Sequence, residues 1–196
     1  MIIGMAGLPG TGKTTLAVEL TQHLTPTPLL LSKDLLRHAL FGPDHTRYTR
    51  EQDDFCIDKL LDTATWQWHH SPATTVILDG RTWSQTYQLH RLRTFAADQH
   101  QHLLLIECVC NTALAIARLT RDHARGDHPA DNRTPELHHQ LAAAADPISE
   151  PKLVLNTQQP IAVNIETILR HLQTPPIPTV ASPRATVPSG PAVEIS

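Results

Sequence analysis

The chain has 196 residues, with 16 lysines and arginines against 19 aspartates and glutamates and a formal net charge of −3. That length can bury a sizeable single core. The charge gives no global positive field, which disfavours extensive binding along a nucleic-acid duplex.

The chain opens on Met1–Ala6, an apolar strand-like run, followed by Gly7-Leu8-Pro9-Gly10-Thr11-Gly12-Lys13-Thr14. This stretch fits the phosphate-loop pattern G-x-x-x-x-G-K-[ST] without a mismatch. Backbone N–H groups can converge on a phosphate only where no bulky side chain keeps them away, and the three glycines meet that need. Leu16, Ala17, Leu20 and Leu24 then recur at helical spacing. The helix they predict starts near Lys13 and turns its positive dipole end and unpaired N–H groups toward the same point. Gly7 through Thr15 are therefore expected to hold a nucleotide phosphate chain. Lys13 would reach the outer phosphates, and the Thr14 hydroxyl would ligate Mg²⁺.

Thr25-Pro26-Thr27-Pro28 stops that helix. Leu29–Ser32 is a short buried strand, Asp34–Leu40 a helix ending near Gly42-Pro43, and Thr49–His70 a longer helix. Phe55, Leu60, Leu61, Ala64 and Trp68 are its expected inward positions. Thr74–Asp79 is a β-branched, apolar strand ending in an acid. Gln85–His100 is a helix, Leu103–Cys110 a buried strand, and Thr112–Ala124 a helix. A polar loop, Arg125–Arg133, separates that helix from another at Pro135–Ala145. Leu153–Leu155 and Val163–Leu172 give a last strand and a last helix.

Strands alternating with helices imply an α/β fold: a five-stranded parallel sheet covered on both faces. Residues 1–172 are expected to form one domain with a lid at about 121–135. From Gln173 to Ser196 there are six prolines and a single charge pair, so a Pro-rich disordered tail is expected there.

Three further constellations carry chemistry. Asp79, at the C-terminal end of its strand, is placed to hold the Mg²⁺ shell, because ligands of open α/β sheets bind at that edge. Asp34 and Arg37 follow the second strand. Asp34 is suited to orient an acceptor hydroxyl and take its proton, or else to cap the helix it starts. Arg118, Arg121 and Arg125 lie along one helical stripe that runs into the polar loop. They read either as guanidinium forks for a transferring phosphoryl group or as a solvated face.

With those residues in view, the ordered part resembles the AAA-like ATP-binding small kinases with a phosphate loop. These are the group of the polynucleotide 5′-hydroxyl kinase domain, the zeta toxins and the antibiotic-modifying phosphotransferases. The resemblance implies an ATP-dependent phosphotransferase with Mg²⁺ and an alcohol acceptor, a small molecule or a nucleotide-like compound. It implies Lys13, Asp34, Arg121 and Arg125 as catalytic groups, with Asp34 as base. Arg37 becomes an acceptor ligand, Thr14 and Asp79 metal ligands, and Asn156 with Thr157 the lining of the adenine pocket. Arg118 is a further nucleotide ligand. Gly80-Arg81-Thr82-Trp83 departs from the group's usual sequence. There Arg81 and Trp83 offer charge and stacking to an acceptor, with Trp83 equally suited to the core.

The alternative is an ATP-binding switch or ATPase module without a small-molecule acceptor. A guanine-type Asn-Lys-x-Asp motif is absent, and an AAA-type motor would need a further helical domain. A nucleic-acid end as acceptor is not favoured by the charge. Thirteen histidines show no zinc spacing and read as surface residues, and Cys56, Cys108 and Cys110 read as buried free thiols. No apolar run approaches the ~20 residues that span a bilayer, and no signal pattern opens the chain. A cytoplasmic location is expected.

Overall fold

A computed structural model of the chain describes residues 1–125, 132–149 and 151–173. Strand β1 (Ile2–Ala6) is buried along its whole length, as its sequence IIGMA requires. It is followed by α1 (Lys13–His23), β2 (Leu29–Ser32), α2 (Lys33–His45), α3 (Arg50–His70) and β3 (Val76–Asp79). Then come α4 (Thr86–Asp98), β4 (Leu103–Val109), α5 (Thr112–Arg125), α6 (Pro135–Ala143), β5 (Leu153–Asn156) and α7 (Ile161–Gln173). The five strands form one parallel sheet in the order β2-β3-β1-β4-β5, so the expected fold class is correct.

Alternation along β1 divides the core. Ile2 and Ala6 face a layer made with Ile57, Leu60, Leu61, Ala64 and Trp68 of α3 and Leu89, Leu92 and Ala96 of α4. Ile3 and Met5 face Leu16, Ala17 and Leu20 of α1 and Ile165 and Ile168 of α7. Two-faced burial explains why these strands read as continuous apolar runs. Gly4 lets α4 come close: a Cβ there would lie 3.1 Å from Leu92 and 3.2 Å from Leu105.

Helix starts are set by polar caps. Ser32, Thr49 and Thr134 accept hydrogen bonds from the backbone N–H groups of Leu35, Gln52 and Leu137. In α2 the helical path breaks at Gly42 (φ 59°), before Pro43, where a proline ring and its missing N–H would end a helix.

Two expectations fail. Phe55 is 45% exposed; it lies edge-on to Phe41, with ring centroids 5.9 Å apart, because only the part of α3 beyond it runs under the sheet. His138 is buried rather than superficial. Cys56 and Cys108 are buried free thiols and Cys110 is half-buried. The centre of the expected lid, residues 126–131, and the tail from 174 onward lie outside the described residues. Among those residues, no helix is long and apolar enough to cross a membrane.

Candidate functional site

The sheet order places β1 beside β4, and the connections that leave these two neighbouring strands run to opposite edges of the sheet, β1 to β2 and β4 to β5. The C-terminal ends of parallel strands open a crevice at such a point, and the Gly7–Thr14 loop fills it. Gly7 N–H donates to Thr82 O at 3.0 Å, which fastens the loop to the segment after β3. Gly10 (φ 81°) runs against the backbone of α5: a Cβ there would collide with Ala115 O. Gly12 (φ 85°) is the N-cap of α1 and supplies no side-chain cap. The first N–H groups of α1 are thus left for an anion.

Lys13 is buried, and its Nζ donates to Leu8 O at 2.8 Å. Burial, reinforced by the Arg133 cation, lowers its pKa to about 8. Thr14 Oγ1 donates to Asp79 Oδ2 at 2.8 Å. The other carboxylate oxygen, Asp79 Oδ1, is buried and has no hydrogen-bond partner among the described residues. A hydroxyl and a carboxylate with one free buried oxygen form a hard-oxygen donor set that fits Mg²⁺.

A cavity of about 740 Å³ extends from Lys13, Thr14 and Thr15 along α5 to the start of α7. Arg118 forms its side wall, donating to Thr157 Oγ1 (3.1 Å), Thr157 O (2.9 Å) and Gly10 O (3.4 Å). Thr157 in turn donates to Thr11 O at 2.8 Å. This one threonine therefore ties the β5–α7 turn to the phosphate loop. Arg121 lines the cavity but is mostly exposed and paired with its neighbour Asp122. Arg125 is exposed at the end of α5 and lines neither cavity described here. Asn156 is exposed and outside the lining, where Thr157 and Asn164 stand instead.

A second cavity, of about 310 Å³, opens on the other side of Lys13. Lys13 and Arg133 line both. Asp34 sits in the second, 5% exposed. It does not cap α2, since Ser32 does. Instead its carboxylate meets Arg133 Nη2 at 2.6 Å, Arg37 Nη1 at 3.5 Å and Lys33 Nζ at 3.6 Å. Asp53 of α3 pairs with Lys33 at 3.1 Å and with Arg37. Burial lowers the Lys33 pKa to about 8. Arg81 lines the same cavity and donates to Asp54 Oδ1 at 2.6 Å and to the Tyr87 hydroxyl at 2.8 Å. Trp83 is buried in the core beneath it, in a left-handed backbone conformation (φ 53°), and lines neither cavity.

The structure thus brings Lys13, Thr14 and Arg118 to one cavity, with Asp79 bonded to Thr14 behind it, and Asp34, Arg37 and Arg81 to the next. Sequence reasoning passed over Arg133, Lys33, Asp53 and His138. His138 Nδ1 lies 2.8 Å from Pro9 O, which docks α6 on the phosphate loop. A histidine within two turns of a Thr-Pro helix start is a weak signal, and nothing local marks it as inward.

Solved structures share this fold at low sequence identity. A candidate kinase from Chloroflexus aurantiacus superposes with a TM-score of 0.69 at 22% identity, covering 88% of this chain and 98% of that one. The Mycobacterium tuberculosis APS kinase CysC, in complex with AMPPNP and APS, gives 0.66 at 16%, covering 88% and 97%. Chaetomium thermophilum Kti12, in complex with ADP-AlF3, gives 0.64 at 16%, covering 87% and 98%. A search of curated proteins finds no match. The family model described as AAA domain matches residues 2–147, which run from β1 past α6 and include the phosphate loop, Asp34, Asp79 and Arg133, and the chain belongs to that family.

Proposed function

We propose that the chain is an ATP-dependent kinase that moves the γ-phosphoryl group to a hydroxyl of a small acceptor held in the second cavity. One observation carries this reading: two cavities meet at Lys13 and Arg133, with the buried carboxylate of Asp34 at the junction. A module that only switches on nucleotide needs the first cavity and has no use for the second. The comparisons lend support through the APS kinase with its AMPPNP and APS and through the gluconokinase from Sinorhizobium meliloti. The Asp34–Arg37 pair after β2 favours the group of the zeta toxins, the polynucleotide 5′-hydroxyl kinase domain and the antibiotic phosphotransferases. The kinase domain is residues 1–172, with the lid at about 121–135.

In the first cavity the loop N–H groups and Lys13 cradle the phosphates, and Arg118 and Thr157 hold the loop in shape. Mg²⁺ on Thr14 and Asp79 would neutralise charge on the phosphate oxygens. Asp34 accepts the proton of the acceptor hydroxyl as that oxygen bonds to phosphorus and the bond to the bridging oxygen breaks. Arg133, within reach of both cavities, steadies the charge of the moving group, a role for which Arg121 and the exposed Arg125 are less well placed in this conformation.

The test is Asp34→Asn, which keeps the shape of the side chain. ATP consumption with a panel of hydroxyl compounds should fall by about 10²–10⁴-fold, the scale of a lost general base. Affinity for a non-hydrolysable ATP analogue should change little. Parallel loss of both would make Asp34 structural. Turnover that stays flat across the panel in the unaltered chain would favour a switch.

A further inference from the structure

The second cavity is lined by six cationic side chains and two carboxylates. Both carboxylates are engaged: Asp34 by Arg133, Arg37 and Lys33, and Asp53 by Lys33 and Arg37. Arg81 is different. Its side chain is 3% exposed and meets Asp54 and Tyr87 only through Nη2. Its Nε and Nη1 are buried without a hydrogen-bond partner among the described residues. Unpaired N–H groups on a buried cation are costly, and an arriving acceptor atom relieves that cost.

A second cation lines the same cavity. The guanidiniums of Arg81 and Arg50 lie 5.6 Å and 5.2 Å from the centroid of one ring, that of Tyr87. Arg50 forms no ion pair among the described residues. Two cations that neighbour one aromatic ring and line one small cavity suit a negative group.

We infer that the acceptor is a small hydroxyl compound carrying an oxyanion (phosphate, sulfate or carboxylate), and that Arg81, with Arg50 at the rim, selects it. This rests on the kinase reading above and narrows its acceptor. Guanidinium N–H groups match the oxygens of all three anions. The small volume fits a single compact molecule.

The experiment uses the full chain with the first cavity filled by a non-hydrolysable ATP analogue and Mg²⁺, so that added anions cannot occupy the phosphate loop. Inorganic phosphate, sulfate and acetate are titrated separately by calorimetry. At least one should bind, and which one distinguishes a phosphate or sulfate ester from a carboxylate. Arg81→Gln should weaken that binding by about tenfold or more, the scale of a charge-assisted contact. Arg50→Gln should weaken it less, and Arg81→Lys should keep part of it. Affinity for the analogue, whose cavity Arg81 does not line, reports in the same samples whether each variant is folded. If a variant with Arg81 altered proves unfolded, the Arg50 variant decides. No anion binding by the unaltered chain, or binding indifferent to both arginines, overturns the inference and leaves the kinase reading standing. Failure of the analogue to bind the unaltered chain overturns the kinase reading itself.

Discussion

Lys13 is held in an unusual state for a lysine. It is buried beside another cation, and its pKa falls to about 8 from 10.5. Between those two values the unfolded chain binds more protons than the folded one, so the shift costs stability below pH 8 and the cost fades as pH rises toward 10.5. Lys33 behaves alike. The thiols of Cys56 and Cys108 act oppositely, since burial raises both, Cys108 to about 12, and the folded state then holds protons that the unfolded chain releases above pH 9. Comparing the unaltered chain with Lys13→Met cancels every group but one. The stability advantage of the variant should shrink by about 1 kcal/mol between pH 8 and pH 9, read from denaturant unfolding without nucleotide. A difference that does not move with pH would mean that Lys13 keeps its ordinary proton. A phosphate chain reverses the effect by favouring the ammonium, so nucleotide binding at pH 8.5 should take up protons. Calorimetry in buffers of different ionisation enthalpy measures that uptake, and Lys13→Met should abolish it.

At the scale of elements, α6 and the β5–α7 turn act as braces on the phosphate loop. Thr157 and Arg118 clamp it from the α5 and α7 side, and His138 of α6 holds Pro9 O from the other. Removing the imidazole leaves a buried carbonyl unpaired and a gap under the helix. His138→Ala should therefore cost about 1–3 kcal/mol of stability. The variant should also bind the ATP analogue more weakly even well below its unfolding temperature. Loss of stability with unchanged nucleotide affinity would reduce His138 to a packing residue. The strands and most helices were legible from apolar runs and punctuation, because a parallel sheet buried on both faces writes itself as continuous Leu, Ile and Val. The phosphate loop was legible because its function dictates local spacing. Asp53 with Lys33 and Arg37, and Arg133 with Asp34, were not. Those partners stand 16 to 99 residues apart, and only the assembled crevice brings them together. Phe55 misled because apolar spacing marks a stripe on a helix and not how much of the helix lies under the sheet.

The molecule as a whole is a sheet at whose strand ends two cavities meet at Lys13 and Arg133, and on the kinase reading proposed above its stability should respond to what fills them. A ligand at about a hundred times its dissociation constant stabilises the folded state by ~2.7 kcal/mol. In a chain of this size that raises the midpoint of thermal unfolding by about 5–11 °C. The unaltered chain should show such a rise with an ATP analogue plus Mg²⁺, and Lys13→Met should show almost none. Asp79 separates the ion from the nucleotide. Its carboxylate, with one buried oxygen unpartnered, repels a phosphate chain when no cation lies between them and attracts the pair when one does. Asp79→Asn removes both effects. With Mg²⁺ present the variant should lose much of the rise. With Mg²⁺ chelated it should match or exceed the unaltered chain, because the repulsion has gone. A variant that weakens binding equally with and without the ion would show that Asp79 holds Thr14 in place and does nothing for the metal.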